Sequence, residues 1–223
     1  MIWIIVLAVM AASGIVQAVL NAKFKKYSKI PNDAGMTGAD VARKMLADNR
    51  ITDVTVTSVE GRLTDHYNPE DKTVNLSPDV YSGNSIAAAA VAAHECGHAL
   101  QHAKGYAPLK MRSALVPAVS FSSKYVSWIL LIGVLLVQRF PMILWVGIAL
   151  FAVTTLFSFV TLPVEINASS RAVQWLEYSH IARSENRDKA VDALKWAAYT
   201  YVIAALGSLA TLLYYISMAS SRR

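Results

Sequence analysis

Four long apolar stretches constrain this chain more strongly than any other feature of its sequence. Each has the roughly twenty residues that a helix needs to cross the hydrocarbon core of a bilayer. Hydrophobic residues make up 55% of the 223 residues and charged residues only 16%, a balance too apolar for an ordinary soluble domain. We therefore expect a mainly α integral-membrane protein with about four transmembrane helices, in contact with the lipid bilayer. The stretches are Ile2–Leu20, Val116–Val137, Met142–Leu162 and Ala197–Met218.

Two of these stretches have features that need an explanation. Val116–Val137 contains Lys124, whose side chain must reach the membrane surface or face a polar cavity. Ile2–Leu20 has an alternative interpretation as a signal peptide. However, no basic residue precedes it, and its apolar run is longer than the usual signal core of about 7 to 15 residues. We interpret it as a retained membrane anchor.

Basic residues are concentrated in the two long polar segments between the apolar stretches. Lysines at four positions directly follow the first stretch, whereas the short connection between the second and third has only Arg139. The positive-inside rule therefore predicts that both polar segments are cytoplasmic and that the N-terminus is outside, although Arg222 and Arg223 would then also lie outside. This topology accounts for the net charge of +6, so the charge indicates no nucleic-acid partner. The four lysines are Lys23, Lys25, Lys26 and Lys29.

The first polar segment contains the motif H-E-x-x-H, from His94 to His98. Ser85 is a plausible N-cap, an alanine-rich run follows it, and Gly105 is a typical stop, so we expect a helix over Ile86–Lys104. Residues four apart lie on one face of a helix. Two imidazoles at that spacing can bind one zinc ion, and the Glu95 carboxylate can act as general base on a water. The three fixed residues alone could arise by chance.

Two small residues lie inside this motif. Gly97 costs a helix interior about 1 kcal/mol relative to Ala. Close approach of another backbone, from a substrate or a packed helix, would account for it, and so would simple packing of small residues. Cys96 is the only cysteine, which excludes an intramolecular disulfide and fits a cytoplasmic location. We interpret Cys96 as a spacer, because its helical angle directs it away from the histidines.

A zinc site of this kind needs a third protein ligand. His102 is eight residues beyond His94, about 12 Å along a straight helix, which is too far for both to bind an ion at about 2 Å. Glu165 is the better candidate, because it follows the third apolar stretch on the same predicted side and a carboxylate there is costly without a partner. Pro163 is expected to begin a new helical stretch at this point. Weaker alternatives are His66, His180, Glu177 and Asp188.

The segment before the motif has the pattern of a small folded domain. Thr37 is expected to cap a helix over Gly38–Asn49. Val54–Val59 alternates and is β-branched like a strand, Thr73–Leu76 is expected to be a second strand, and Gly61, Asp65, Asn68 and Pro69 supply turns between them. A strand beside the zinc helix could bind an extended peptide by edge pairing, or the two strands could form a hairpin that only stabilises the domain.

Taken together, these motifs resemble the YugP-type membrane zinc metallopeptidases of bacteria, which are related in mechanism to the gluzincins. The resemblance implies that His94 and His98 bind zinc, that Glu95 is the catalytic base and that Glu165 is the third ligand. One position departs from the family pattern, which usually has Asp where this chain has Asn167. The resemblance covers nearly the whole chain and is carried by Gly61–Pro69, Asn75–Tyr81, Ser85–Ala103, Tyr106–Leu109, Leu162–Glu165 and Ala198–Val202.

The expected organisation combines the apolar stretches with a zincin-like domain. Transmembrane helices are expected at 1–22, 116–138, 141–162 and 197–218. A cytoplasmic zincin-like domain with a small β element occupies 23–115, a cytoplasmic helical segment with the third ligand occupies 163–196, and 219–223 form a tail.

The predicted function is a zinc-dependent membrane endopeptidase that acts on a peptide or membrane-protein substrate. Four residues could support the ligands or contact substrate: His66, His102, Asn167 and Arg171. The candidates for an oxyanion donor are His66, Tyr67, His102 and Arg171. A catalytically silent zinc scaffold or adaptor is the alternative, although it would not need Glu95. A metal transporter would need ionisable residues in several spans, and only Lys124 qualifies. The sequence indicates no particular oligomeric state.

Overall fold

The structure is a computed structural model that describes residues 2–221, so Arg222 and Arg223 of the expected tail lie outside the described residues. Over this range the chain is mainly helical, with one small sheet. The elements are α1 (Ile2–Tyr27), α2 (Gly38–Asp48), β1 (Thr55–Ser58), β2 (His66–Asn68), β3 (Thr73–Leu76), α3 (Pro78–Tyr81), α4 (Ile86–Ala103), α5 (Ala107–Leu135), α6 (Pro141–Tyr178) and α7 (Ser184–Ser220).

Four helices are long and apolar enough to cross a membrane: α1, α5, α6 and α7. This confirms the expectation of a mainly helical chain with about four membrane-length apolar helices and a small β element. Large apolar side chains remain exposed along α1, among them Trp3, Leu7 and Met10. Such exposure is costly in water, whereas it is favourable where lipid tails replace water around the helix.

The expectation that Pro163 begins a new helix is wrong, because α6 continues through it from Pro141 to Tyr178. Proline removes one backbone hydrogen bond and usually breaks a helix in water, but it is tolerated in apolar helices that neighbouring helices support. The residues after Pro163 have such support, since Val164, Ala168 and Ala172 are completely buried along one face. Packing of this face outweighs the local preference of proline for a helix start.

The chain divides into two compact units. The first unit consists of three segments: the N-terminal residues up to Ile15, Lys110–Pro163, and the C-terminal residues from Thr200. Within it α5 and α6 approach closely at Gly133, where an added Cβ would lie 2.7 Å from the Leu144 Cα. Val126, Leu130, Leu144 and Ile148 form its apolar core.

The second unit contains Val16–Leu109 and Val164–Tyr199. Its core brings together apolar side chains of α2, β3, α4 and α6, including Met45, Leu76, Ile86 and Leu176. The predicted N-caps of α2 and α4 are present. Thr37 and Asp40 form a capping box at the start of α2, and the Ser85 hydroxyl accepts a hydrogen bond from the Ala88 amide at 3.1 Å. The helix predicted over Ile86–Lys104 is confirmed, with Lys104 as its C-cap.

The sheet has the order β1-β3-β2, with β1 and β3 parallel and β2 antiparallel to β3. The expected turn region therefore contains a third strand, and β1 and β3 do not form a hairpin. β2 has only three residues, and it is held by its pairing to β3, in which Tyr67 lies opposite Val74. α4 packs against α2, α3, β2 and β3, which places the H-E-x-x-H helix against the sheet.

Candidate metal centre

His94 and His98 lie one turn apart on α4 and direct their rings to the same place. The ring centroids are 4.9 Å apart and the rings are nearly perpendicular, at 88°. α4 is almost completely buried, because its alanine-rich first half lets neighbouring elements pack closely against it. Only 14% of the His94 side chain and 11% of the His98 side chain is exposed. The helix therefore presents two nearly buried imidazoles on one face.

Glu165 of α6 lies opposite these two rings. Its Oε2 atom is 3.3 Å from His94 Nε2 and 3.6 Å from His98 Nε2. The carboxylate is 4% exposed, and a buried carboxylate is costly unless charges or hydrogen bonds compensate it. One potential ligand atom from each of these three side chains lies within 4.8 Å of the others. The structure thus brings together the three residues that the sequence indicated as ligands.

This donor set fits a zinc ion. Zinc lies about 2.0–2.2 Å from imidazole nitrogen and carboxylate oxygen in tetrahedral sites, so two ligands of one ion are roughly 3.3–3.5 Å apart. The two measured separations, 3.3 and 3.6 Å, agree with that spacing. Two histidines and a glutamate are also the protein ligands of one class of catalytic zinc sites, in which the fourth position takes water or substrate. No other group of this kind occurs among residues 2–221.

The ring nitrogens that face away from Glu165 both have hydrogen-bond partners. The Ser169 hydroxyl of α6 lies 3.1 Å from His94 Nδ1, and the Gln101 Oε1 atom lies 3.1 Å from His98 Nδ1. Such contacts hold a ligand ring in one orientation. Neither Ser169 nor Gln101 was identified from the sequence. Their spacing is the signal that could have identified them: Ser169 follows Glu165 by one helical turn, and Gln101 follows His98 by three residues.

Gly97 lets α4 and α6 approach each other backbone to backbone. A Cβ at this position would lie 2.7 Å from the Ala168 carbonyl oxygen and 3.0 Å from its Cα. Of the explanations that the sequence left open, the structure shows close approach of a packed helix. The contact lies between His94 and His98 on one helix and three residues from Glu165 on the other, so it sets the distance between the three candidate ligands.

Electrostatics within the centre favour the positively charged form of His98. Burial alone lowers the pKa of His98, but the hydrogen bond to Glu165 and the charges of Glu95 and Glu165 outweigh it, and the pKa of His98 is raised. Glu95 is itself buried, with 8% exposed, and lies close enough to affect His98. Burial strongly raises the pKa of the Cys96 thiol, whose Sγ lies 3.6 Å from the Ala42 carbonyl oxygen. Cys96 is thus a buried neutral thiol rather than a metal ligand.

The other residues singled out from the sequence lie around the centre or elsewhere. His102 is on α4 outside the cluster, and its Nδ1 lies 2.8 Å from the Tyr67 hydroxyl. His66 contacts the Thr64 carbonyl oxygen through Nδ1 at 2.7 Å.

Asn167 accepts hydrogen bonds from Gln101 at 3.1 Å and from the Arg171 Nε at 2.7 Å, so both Asn167 and Arg171 connect to the metal centre through Gln101. Of the weaker ligand candidates, Glu177 and Asp188 form ion pairs with Arg187. His180 lies just beyond the end of α6, and none of these three belongs to the cluster.

Comparison with known proteins identifies the family. Residues 2–220 match the sequence family described as "Putative neutral zinc metallopeptidase". The chain belongs to this zinc metallopeptidase family. It is also 44% identical over 197 residues to a protein of Bacillus subtilis (strain 168) named "Putative membrane protease YugP", and the match covers 88% of this chain and 87% of that protein. No solved structure matches the chain. Membership in the metallopeptidase family confirms the resemblance noted in the sequence.

Proposed function

We propose that this zinc metallopeptidase family member is a membrane endopeptidase that hydrolyses peptide bonds with a water activated at His94, His98 and Glu165. The observation that carries the proposal is the buried convergence of two imidazoles and a carboxylate at zinc-ligand spacing. Family membership supports zinc as the metal, and the Bacillus subtilis relative is named as a membrane protease. As part of this proposal, the polar segment 23–115 is a zincin-like domain.

In this mechanism His94, His98 and Glu165 would hold the metal, and Ser169 and Gln101 hold the two imidazoles in place. A bound zinc ion would supply a Lewis acid that polarises the scissile carbonyl and makes a neighbouring water more acidic.

Glu95 accepts the proton of the attacking water and delivers it to the leaving amine, the general acid–base role that a buried carboxylate beside the ligands can fill. The candidates for stabilising the developing oxyanion remain Tyr67, His66, His102 and Arg171.

We further propose that the centre faces the cytoplasm and that the protein lies in the cell membrane. Support comes from the many Lys and Arg residues that flank the centre in sequence, against the single Arg139 in the connection between α5 and α6. A peptide or membrane-protein substrate would then approach from the cytoplasmic side or from the membrane boundary.

The decisive experiment is Glu95→Gln in the purified full-length protein. The amide cannot accept the proton, so proteolysis should fall by about 10²-fold or more. Zinc content and thermal stability should change little, because all three ligands remain. Cleavage of casein-type or membrane-protein substrates, metal analysis and a thermal melt measure these three quantities. A variant that cleaves as fast as the parent would exclude Glu95 as the base. Failure of the parent to cleave any substrate would favour the scaffold alternative.

A further inference from the structure

We infer that Gln101 is a positioning residue that determines which nitrogen of His98 carries the hydrogen, so that Nε2 keeps the lone pair that a metal ion needs. This inference rests on the proposed function, since it assigns a support to one of the proposed zinc ligands. Gln101 lies on α4, three residues after His98, and is completely buried. A buried carboxamide is stable only when its polar atoms find partners, and those partners determine its orientation.

The contact with the Val164 carbonyl shows which way the Gln101 carboxamide is turned. The side-chain atom nearest that carbonyl oxygen lies 2.7 Å from it. A carbonyl oxygen can only accept a hydrogen bond, so this atom must be the NH₂ nitrogen. The same nitrogen lies 3.1 Å from Asn167 Oδ1. Both of its hydrogens are therefore used on α6, and the Gln101 oxygen is the atom that faces His98.

This oxygen in turn determines the protonation of the His98 ring. The Gln101 Oε1 atom lies 3.1 Å from His98 Nδ1 and can only accept, so Nδ1 must carry the hydrogen. A neutral imidazole has one such hydrogen, which leaves Nε2 with a lone pair. Nε2 is the nitrogen that lies 3.6 Å from Glu165. Gln101 thus keeps Nε2 unprotonated, and the Nε2 lone pair is the one that lies towards Glu165.

Asn167 is held in the matching orientation by Arg171. The Arg171 Nε atom lies 2.7 Å from the Asn167 side chain, and guanidinium nitrogens only donate, so the Asn167 atom at this point is the oxygen. Asn167 therefore supplies the one atom that Gln101 requires. An aspartate would offer an oxygen at the same place.

His94 provides an internal comparison. Its Nδ1 contacts the Ser169 hydroxyl at 3.1 Å, and a hydroxyl can rotate to donate or to accept. Ser169 therefore orients the ring without selecting the protonated nitrogen. Gln101 and Ser169 both make contacts between α4 and α6, but Gln101 does so at two points, the Val164 carbonyl and the Asn167 side chain. Loss of Gln101 should accordingly disturb the centre more than loss of Ser169.

The test compares Gln101→Met, Gln101→Glu and Ser169→Ala in the full-length protein in detergent. Nitrogen NMR of labelled histidine in the metal-free protein, at alkaline pH where imidazoles are neutral, reports the protonated nitrogen of His98. Chelator competition reports zinc affinity. Gln101→Met should lose the Nδ1–H form as the single state and bind zinc about 10- to 100-fold more weakly. Gln101→Glu keeps an accepting oxygen towards His98 but replaces the donating nitrogen with an oxygen that faces the Val164 carbonyl and Asn167. It should therefore keep the Nδ1–H form, while its zinc affinity also falls.

Two results would overturn the inference. One is parental zinc affinity and an unchanged His98 ring in Gln101→Met. The other is an equal loss in Ser169→Ala and Gln101→Met, which would show a general packing effect. If Gln101→Met does not fold, the Gln101→Glu spectrum decides, because loss of its Nδ1–H form contradicts the inference. Neither readout requires proteolysis. A parent that binds zinc with His98 protonated at Nδ1 but cleaves nothing would reject the proposed enzyme and leave Gln101 in its role.

Discussion

Replacement of Gly97 by alanine should weaken the metal centre without touching any ligand. The added methyl carbon would lie 2.7 Å from the Ala168 carbonyl oxygen, whereas ordinary contact begins at 3.4 Å. The obstructing atoms are backbone, so no flexible side chain can move away. Relief of the clash requires α4 and α6 to separate locally by roughly 0.7 Å, the difference between those two distances. Metal–ligand distances tolerate deviations of only about 0.2 Å.

The two consequences of Gly97→Ala have different magnitudes. Overpacking of a tight contact costs about 1–3 kcal/mol, while replacing a helical glycine by alanine returns about 1 kcal/mol. The free energy of unfolding should therefore fall by only about 0–2 kcal/mol. Zinc affinity should fall more clearly, by roughly tenfold or more, because the distances from Glu165 to His94 and His98 depend on this contact.

Gly14→Ala is the matched control for this prediction. Gly14 is also a helical glycine, on α1, and an added Cβ there would have nothing within 4 Å. It should be neutral or slightly stabilising and should leave zinc affinity unchanged. Chelator competition and thermal melts in detergent measure both variants. Equal zinc affinity in Gly97→Ala and Gly14→Ala would refute the argument that the approach of α4 to α6 sets the geometry of the centre.

Two further predictions concern the third ligand and the topology. Glu165→Ala should sharply lower the zinc content of the purified protein while His102→Ala leaves it near normal, because Glu165 lies beside both imidazoles and His102 lies outside the cluster. The reverse result in metal analysis would exclude the proposed ligand set. Cysteines introduced at Glu70 or Glu185 should resist an impermeant maleimide in intact cells and react after permeabilisation, whereas one at Arg139 should react in intact cells. The native Cys96 should not react with the maleimide, because it is buried and its thiol pKa is raised. Labelling of the Glu70 or Glu185 variants in intact cells would contradict the predicted topology.

Local signals accounted for the parts of the fold that the sequence predicted well. The helix that carries His94 and His98 has its cap at Ser85, its alanine run and both histidines within about twenty residues, so helix geometry alone places the imidazoles on one face. The membrane-length helices were equally accessible, because the thickness of a bilayer sets the length of apolar sequence that can cross it.

The errors came from positions where packing outweighed local preference. Pro163 is a typical helix start, yet α6 continues through it because Val164 and Ala168 are buried against neighbouring elements. His66–Asn68 has turn-forming residues on both sides and only three residues of its own. It forms a strand because β3 supplies its hydrogen-bond partners, and no property of the short segment itself indicates that pairing.

The sequence by itself determined the chemistry of this protein: the apolar helices, the two histidines on one turn and the glutamate between them. Tertiary structure alone decided how that chemistry is completed. Glu165 lies 71 positions along the chain from His94. Ser169 reaches the His94 ring, and the Val164 carbonyl orients Gln101, only because α4 and α6 meet at Gly97. Helix periodicity relates residues on the same helix, whereas the meeting of two distant helices depends on which faces pack and how closely. At this centre, a missing side chain at Gly97 allowed that close approach.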